Sequence, residues 1–304
     1  MRIFTKTLAI LLCLSFHVAA QEGLDEVVEL HSSIEGEETP ADTAEIKPWK
    51  YGGNFSLTFN QVSLTNWVAG GENAISGNAG ALFTFGYQKD KVKWENILDL
   101  GYGLTRQGED KMIKNEDKID FSSKYGRRAS EQWFYSSLLG FKTQFDEGYK
   151  SPDDDEVISN FMAPAYLLAS IGMDYKPNDN FTLFLSPITG RMTVVNSEEL
   201  TSQEGGAFGV PQGETSRGEL GGFVKAIYKK KFMEEKISFR TKLELFSSYL
   251  DKPQNLNIDW EDSLNLKVGD YITARLQTHL IYDEDAAREV QFRELFGLGF
   301  SYNF

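Results

Sequence analysis

Residues 292–304 read "FRELFGLGFSYNF", and the fold turns on that stretch. Phe296, Leu298, Phe300, Tyr302 and Phe304 alternate with Gly297, Gly299, Ser301 and Asn303. Successive side chains on a strand point to opposite faces, so one face here is apolar and aromatic, the other small or polar. Chain ends are usually frayed and wet. An aromatic row at such a place has a core behind it or a medium other than water in front of it.

The same alternation runs back through the chain. In "KISFRTKLELFSSYL" Ile237, Phe239, Leu243, Leu245 and Tyr249 oppose Arg240, Lys242, Glu244 and Ser248. In "QNLNIDWEDSLNLKV" Leu256, Ile258, Trp260, Leu264 and Leu266 oppose Asn257, Asp259, Glu261, Asn265 and Lys267. Twelve such segments are expected, near 50–61, 74–88, 91–105, 116–127, 131–145, 160–176, 180–195, 217–230, 236–250, 254–268, 270–282 and 292–304. Soluble strands average roughly 5–6 residues, whereas a tilted strand needs about 9–11 to cross a bilayer.

The connections give an independent signal. "QKDK", "GRRAS", "KPNDN", "KKFMEE" and "VGD" are short. "QGEDKMIKNED", "DEGYKSPDDDEVIS", the stretch from Asn196 to Ser216 and "DEDAAREVQ" are longer and acidic, and only "DKPQ" breaks the alternation. Short turns alternating with long loops on an even strand count are the mark of an outer-membrane barrel. Trp94, Tyr125, Trp133, Tyr175 and Tyr228 all fall near short-turn ends on the apolar parity, which predicts an interfacial girdle. A sandwich would turn these residues inward. Strand length, charges in mid-strand on the polar face and the export signal described next argue against it. The expected fold is an all-β, twelve-stranded antiparallel transmembrane β-barrel over residues 49–304, with Phe304 closing the last strand against the first. Such a final strand is the kind of signal that barrel-assembly machinery reads.

The front of the chain sets the compartment. "MRIFTKTLAILLCLSFHVAA" has basic Arg2 and Lys6, an apolar run and small residues at Ala19 and Ala20, so residues 1–20 read as a signal peptide. Cys13, the only cysteine, lies within it. Removing Arg2 and Lys6 from the 31 basic residues leaves 29 against 45 acidic ones, a net charge of −16. That balance disfavours nucleic acid as a partner. Residues 21–48 are acidic and without an aromatic until Trp49, which predicts a disordered periplasmic leader. The expected location is the outer membrane, with its lipid and lipopolysaccharide as surroundings; oligomeric state has no sequence signal.

With the strands placed, "WKYGGNFSLTFNQVSLTNWVAGGENAISG", "YQKDKVKWENILDLGYGL" and "KIDFSSKYGRRASEQWFYS" resemble a family of uncharacterised outer-membrane barrels of Bacteroidetes-type bacteria, a domain of unknown function. The resemblance implies a fold and a compartment over residues 48 to 304. It brings no activity, substrate or site residues.

Candidate functional residues fall into five groups. Inward charges concentrate on strands nine to eleven, where Arg240, Lys242, Glu244, Glu261 and Arg275 are expected to line the lumen as one network. They either set pore polarity or form a salt-bridge lattice that holds the barrel shut. Trp67, in "SLTNWVAGGENAISGN", is either a stacking contact folded into the mouth or an interfacial anchor. The Asp153, Asp154, Asp155 and Glu156 cluster suits a divalent cation by type, but its spacing matches no known calcium loop. Pro164 and Pro187 are expected to kink neighbouring strands. His279 points inward and His31 lies in the leader, so no Ser-His pair can be assembled from sequence, and neither an enzyme nor a cofactor is expected. The readings are a narrow passive pore or solute-binding channel, a closed structural or surface-binding barrel acting through its loops, and, remotely, a lipid-modifying enzyme.

Overall fold

The computed structural model describes residues 48–65, 71–233, 236–269, 272–284 and 287–303. The expected signal peptide, nearly all of the leader, Trp67, Tyr271 and Phe304 lie outside the described residues.

The strands are β1 (Trp49–Val62), β2 (Ala74–Lys89), β3 (Val92–Gln107), β4 (Ile113–Arg128), β5 (Trp133–Thr143), β6 (Gly148–Tyr149), β7 (Val157–Ser159), β8 (Ala165–Asn178), β9 (Phe181–Val194), β10 (Ser216–Phe232), β11 (Ile237–Ser248), β12 (Asn257–Gly269), β13 (Ile272–Asp283) and β14 (Ala287–Asn303). Twelve of them close into one antiparallel barrel in the order β1-β14-β13-β12-β11-β10-β9-β8-β5-β4-β3-β2, while β6 and β7 form a separate hairpin. Closure leaves no free sheet edge along most of the circumference.

Barrel strands run from 11 to 17 residues. Apolar parity faces out: Leu57, Tyr135, Ile171, Phe292 and Phe300 are all exposed on the outer wall. Aromatic side chains cluster at the short-turn end, where Trp49 lies 5.0 Å from Tyr87 and 6.0 Å from Trp94, and Trp133 lies 4.8 Å from Tyr175. Tyr102 meets Phe145 edge-on at the long-loop end.

Three expectations need correction. Pro164 does not interrupt a strand, because β8 begins one residue after it at Ala165. The connections after β3 and β13 are far shorter than expected, since β4 starts at Ile113 and β14 at Ala287. At the start of β4 the charged residues stay strand-paired, Lys114 opposite Leu104 and Asp117 opposite Tyr102, and Lys114 bonds Asp117 at 2.7 Å. The link after β11 runs from residue 249 to 256, so it joins the longer set rather than breaking the alternation.

Pro187 does distort the wall. Register shifts fall between Ile171 and Met173 on β8 and between Gly221 and Phe223 on β10, flanking Pro187 on both sides. Proline lacks a ladder donor, and a bulge absorbs the loss. Ser186 Oγ sits 2.9 Å from the carbonyls of Ile171 and Ile188, and Thr189 Oγ1 donates to Ser170 Oγ at 2.8 Å. Gly172 is required there, because a Cβ would stand 2.0 Å from the Leu185 carbonyl oxygen.

At the long-loop end, residues 195–215 form a small core of their own. Val195, Leu200 and Val210 are buried with Ala163, and Phe208 packs on them. Ser197 caps the short helix α1 (Glu198–Thr201) by accepting from the Leu200 N–H at 3.4 Å. In the adjoining loop the exposed Tyr149 hydroxyl donates to Glu147 at 2.6 Å, and that bond raises its pKa above the ordinary phenol value.

The seam between β1 and β14 is short. Among the described residues, five registered pairs join them, from Asn54–Asn303 to Thr58–Gly299. The other side of β1 is paired with β2 along its full length, from Trp49–Tyr87 to Val62–Ala74.

Candidate functional site: the lumen

The inward parity carries the polar residues, so the barrel interior is the candidate site. Twelve strands enclose more space than side chains of average size fill. What fills it is arranged in three bands.

At the short-turn end, Lys124 lies between Asp174 at 3.0 Å and Glu95 at 3.7 Å, and Lys176 reaches Glu95 at 3.5 Å. Ser136 Oγ donates to Asp174 at 3.2 Å. The buried Phe134 ring is ringed by Lys93, Arg128 and Lys176 at 5.6, 5.7 and 5.8 Å from its centroid. Cations over a ring face are attracted by its quadrupole.

The middle band crosses the barrel. Lys142 on β5 bonds Glu244 on β11 at 3.0 Å and Asp259 on β12 at 3.2 Å. Strands β8, β9 and β10 separate β5 from β11, so this ammonium spans the lumen as a chord rather than bridging neighbours. Lys225 reaches the second oxygen of Glu244 at 2.8 Å, His279 Nε2 lies 3.0 Å from Asp259, and Lys242 bonds Glu261 at 2.6 Å. Lys118 pairs with Asp99. Against the β5–β11 wall stand Leu138, Phe184, Phe223 and Phe246, all buried, with Leu168 packed beside them. The lumen at this height is part charge lattice, part apolar core.

A second chord closes the long-loop end. Arg191 on β9 bonds Glu219 at 2.6 Å and Asp283 on β13 at 3.2 Å, with its guanidinium carbon 4.5 Å from the Phe246 ring centroid. Arg217 holds Glu219 at 3.4 Å and Asp251 at 2.8 Å.

Two cavities meet at the middle band. One, of about 280 Å³, extends toward the short turns and is lined by Arg240, Arg275, Arg293 and Lys229 among others. The other, of about 460 Å³, extends toward the long loops and reaches Phe208 of the 195–215 loop.

Of the five residues expected to line the lumen, Arg240, Lys242, Glu261 and Arg275 border the first cavity and Glu244 the second. They do not form one network. Lys242 and Glu261 pair directly, Glu244 turns to Lys142 and Lys225, and Arg240 and Arg275 make no ion pair with a described residue. Sequence reading placed Asp259 and His279 inward but could not join them to Lys142, because β5 and β12 are adjacent only across the lumen. His279 belongs to this polar network.

Asp259, Glu261 and His279 place donor atoms within 4.8 Å of one another. Lys142, Lys242 and the imidazole itself already satisfy both carboxylates, so a cation would have to displace ammonium groups. The Asp153 cluster does not gather: Asp155 turns to Lys111 at 3.3 Å and Asp154 accepts from the Glu156 N–H at 3.1 Å.

The outer wall carries a polar patch on its last three strands. Asp262, Thr278 and Glu294 are paired in register across β12, β13 and β14 on the outward parity. Asp262 accepts from Trp260 Nε1 at 3.1 Å and from Thr278 Oγ1 at 3.4 Å.

Residues 59–149 match the family described as "Protein of unknown function (DUF3078)". This is a narrower span than the resemblance implied. No curated protein matches the chain by sequence. Among solved structures the barrel is similar to the translocator domain of the autotransporter NalP from Neisseria meningitidis, at 8% identity and a TM-score of 0.41, covering 92% of this chain and 94% of that one. It is also similar to an outer membrane channel from Pseudomonas putida F1, at 11% identity and a TM-score of 0.39, covering 88% and 99%. A third likeness is to OmpF of Salmonella typhi, solved in complex with daunomycin, at 7% identity and a TM-score of 0.32, covering 84% and 97%.

Proposed function

We propose that the protein spans the outer membrane and acts as a narrow channel for small polar solutes, its lumen constricted by the Lys142 bridge. The membrane placement is supported by strand length, by the apolar outer wall and by aromatic side chains at both of its edges. A sheet closed on itself also satisfies the backbone groups that a bilayer cannot.

The observation that carries the channel reading is the pair of cavities that meet at the charged side chains of Lys118, Asp120 and Glu261. A barrel built only as a scaffold has no use for open space held between charged side chains, since burying charge costs stability unless each group is paired. The two chords favour the second reading, a closed barrel working through its loops, and the roof at residues 195–215 is the surface it would use. Single-channel recording of the refolded protein in planar bilayers separates them. The channel reading expects small discrete steps that grow in Lys142→Met. Folded protein silent both as wild type and as Lys142→Met would leave the closed barrel.

A further inference from the structure

The lumen's cations are not equivalent. Lys118, Lys124, Lys142, Lys225, Lys242, Arg191 and Arg217 each lie within ion-pair distance of a carboxylate. Arg240, Arg275 and Arg293 do not, among the described residues, and all three line the smaller cavity.

The placement of Arg240 is costly without a ligand. Arg240 stands directly opposite Lys229 in the β10–β11 register, both on the inner face. Like charges at opposed positions repel. The carboxylates around the cavity already have partners: Asp99 pairs with Lys118, Glu261 with Lys242, Glu95 with Lys124 and Lys176, and Asp120 lies 3.9 Å from Lys142, while Asp262 accepts from Thr278 at 3.4 Å and Glu116 from the Asn78 amide at 3.2 Å.

Arg275 is also held in place. Its Nε donates to Asn265 Oδ1 at 3.2 Å, while Asn265 Nδ2 donates to Ser263 Oγ at 3.0 Å. Asn265 is 4% exposed, a fixed anchor rather than a solvated contact. With Nε occupied, the two terminal nitrogens are left for something else. A guanidinium fixed in this way presents a planar fork matched to an oxyanion.

We infer that Arg240, Arg275 and Arg293 form a binding site for a small oxyanion of the phosphate or sulfate class. A cavity of about 280 Å³ suits a small ion or a compact phosphorylated solute better than a large ligand. The site deepens the channel reading by giving it a solute class, yet equilibrium binding does not require conduction.

Isothermal titration of the refolded full-length protein with inorganic phosphate at low ionic strength tests it. Wild type should show a saturable isotherm. Arg240→Gln and Arg275→Gln should each weaken binding about tenfold, the loss expected of one charge-assisted contact. Arg275→Lys should recover only part, since an ammonium cannot reproduce the fork. Lys230→Gln, outward on β10, should bind as wild type does. Neither arginine has an ion-pair partner to orphan, so the variants should fold, which circular dichroism verifies. No saturable binding by folded wild type, or binding unchanged in both glutamine variants, overturns the site. Binding without current would retain the site and remove the channel; current without binding would do the reverse.

Discussion

Lys142→Met tests the chord across the lumen most directly. The ammonium serves Glu244 at 3.0 Å and Asp259 at 3.2 Å. Each charge-assisted bond contributes about 1.5–3 kcal/mol net, so losing two uncompensated ones would cost about 3–6 kcal/mol. Two features lower that figure. Glu244 keeps Lys225 at 2.8 Å, and Asp259 keeps His279 at 3.0 Å. The Lys142 side chain is also 35% exposed, so water and salt already screen the pairs. The expected loss is about 2 kcal/mol, read by urea unfolding in lipid vesicles through tryptophan fluorescence. A double-mutant cycle with Glu244→Gln should give a coupling of about 1 kcal/mol, and a cycle with Glu219→Gln, which Lys142 does not contact, about zero. Raising salt to about 1 M, where the Debye length falls to about 3 Å, should shrink the first coupling and leave the second unchanged. Unaltered stability, with a Lys142–Glu244 coupling below about 0.3 kcal/mol, would refute the claim that this bridge holds the lumen.

Other outcomes follow from the wall. Under the membrane placement Glu294 is an acid facing lipid, so Glu294→Leu should stabilise the barrel by about 1 kcal/mol or more in the same unfolding assay; a loss instead would mean that the carboxylate meets a polar partner. Gly172→Ala should sharply lower refolding yield, judged by heat-modifiable gel mobility, because its Cβ would stand 2.0 Å from the Leu185 carbonyl oxygen; normal yield would show that the Pro187 bulge is not rigid. With Cys13→Ser as background, a Thr58→Cys/Gly299→Cys pair should oxidise readily, as its register is formed. An Asn60→Cys/Gly297→Cys pair, two residues beyond the paired seam, should oxidise far more slowly, and equal rates would refute the short seam.

The barrel was legible because period-two alternation is a local property, written into each strand without reference to its neighbours. The bulge at Pro187 was legible for the same reason: a missing N–H is a fact about one residue. Pro164 misled because apolar residues on both sides continue the alternation, so pattern alone could not show that the strand starts at Ala165. The chords were illegible because Lys142 and Asp259 are separated in sequence by 117 positions and in the sheet by several strands. Parity puts both inside; only barrel diameter and tilt make them meet. The isolation of Arg240 and Arg275 was hidden likewise, since their carboxylate neighbours in sequence turn to lysines from other strands. The stretch from Asn196 to Ser216 was read only as an acidic loop, and no periodicity announced the small core and Ser197-capped helix within it.

The short seam bears on the order in which the molecule is made. Each barrel strand after β1 pairs with the barrel strand that precedes it, β8 with β5 across the small β6–β7 hairpin, so the sheet can grow by successive hairpins of low contact order. The pairing of Thr58 with Gly299 joins segments from opposite ends of the sheet and waits for everything between them. The entropy of closing so long a loop rises only with the logarithm of its length, but only five registered pairs are there to offset it. Until that step the growing sheet carries two open edges, one on β1 and one on β14. Once closed, the same joint is the least-stitched line in the wall. Amide exchange in the native state should therefore begin at the outer ends of β1 and β14 and spread from there, which makes the last step of assembly the first step of opening.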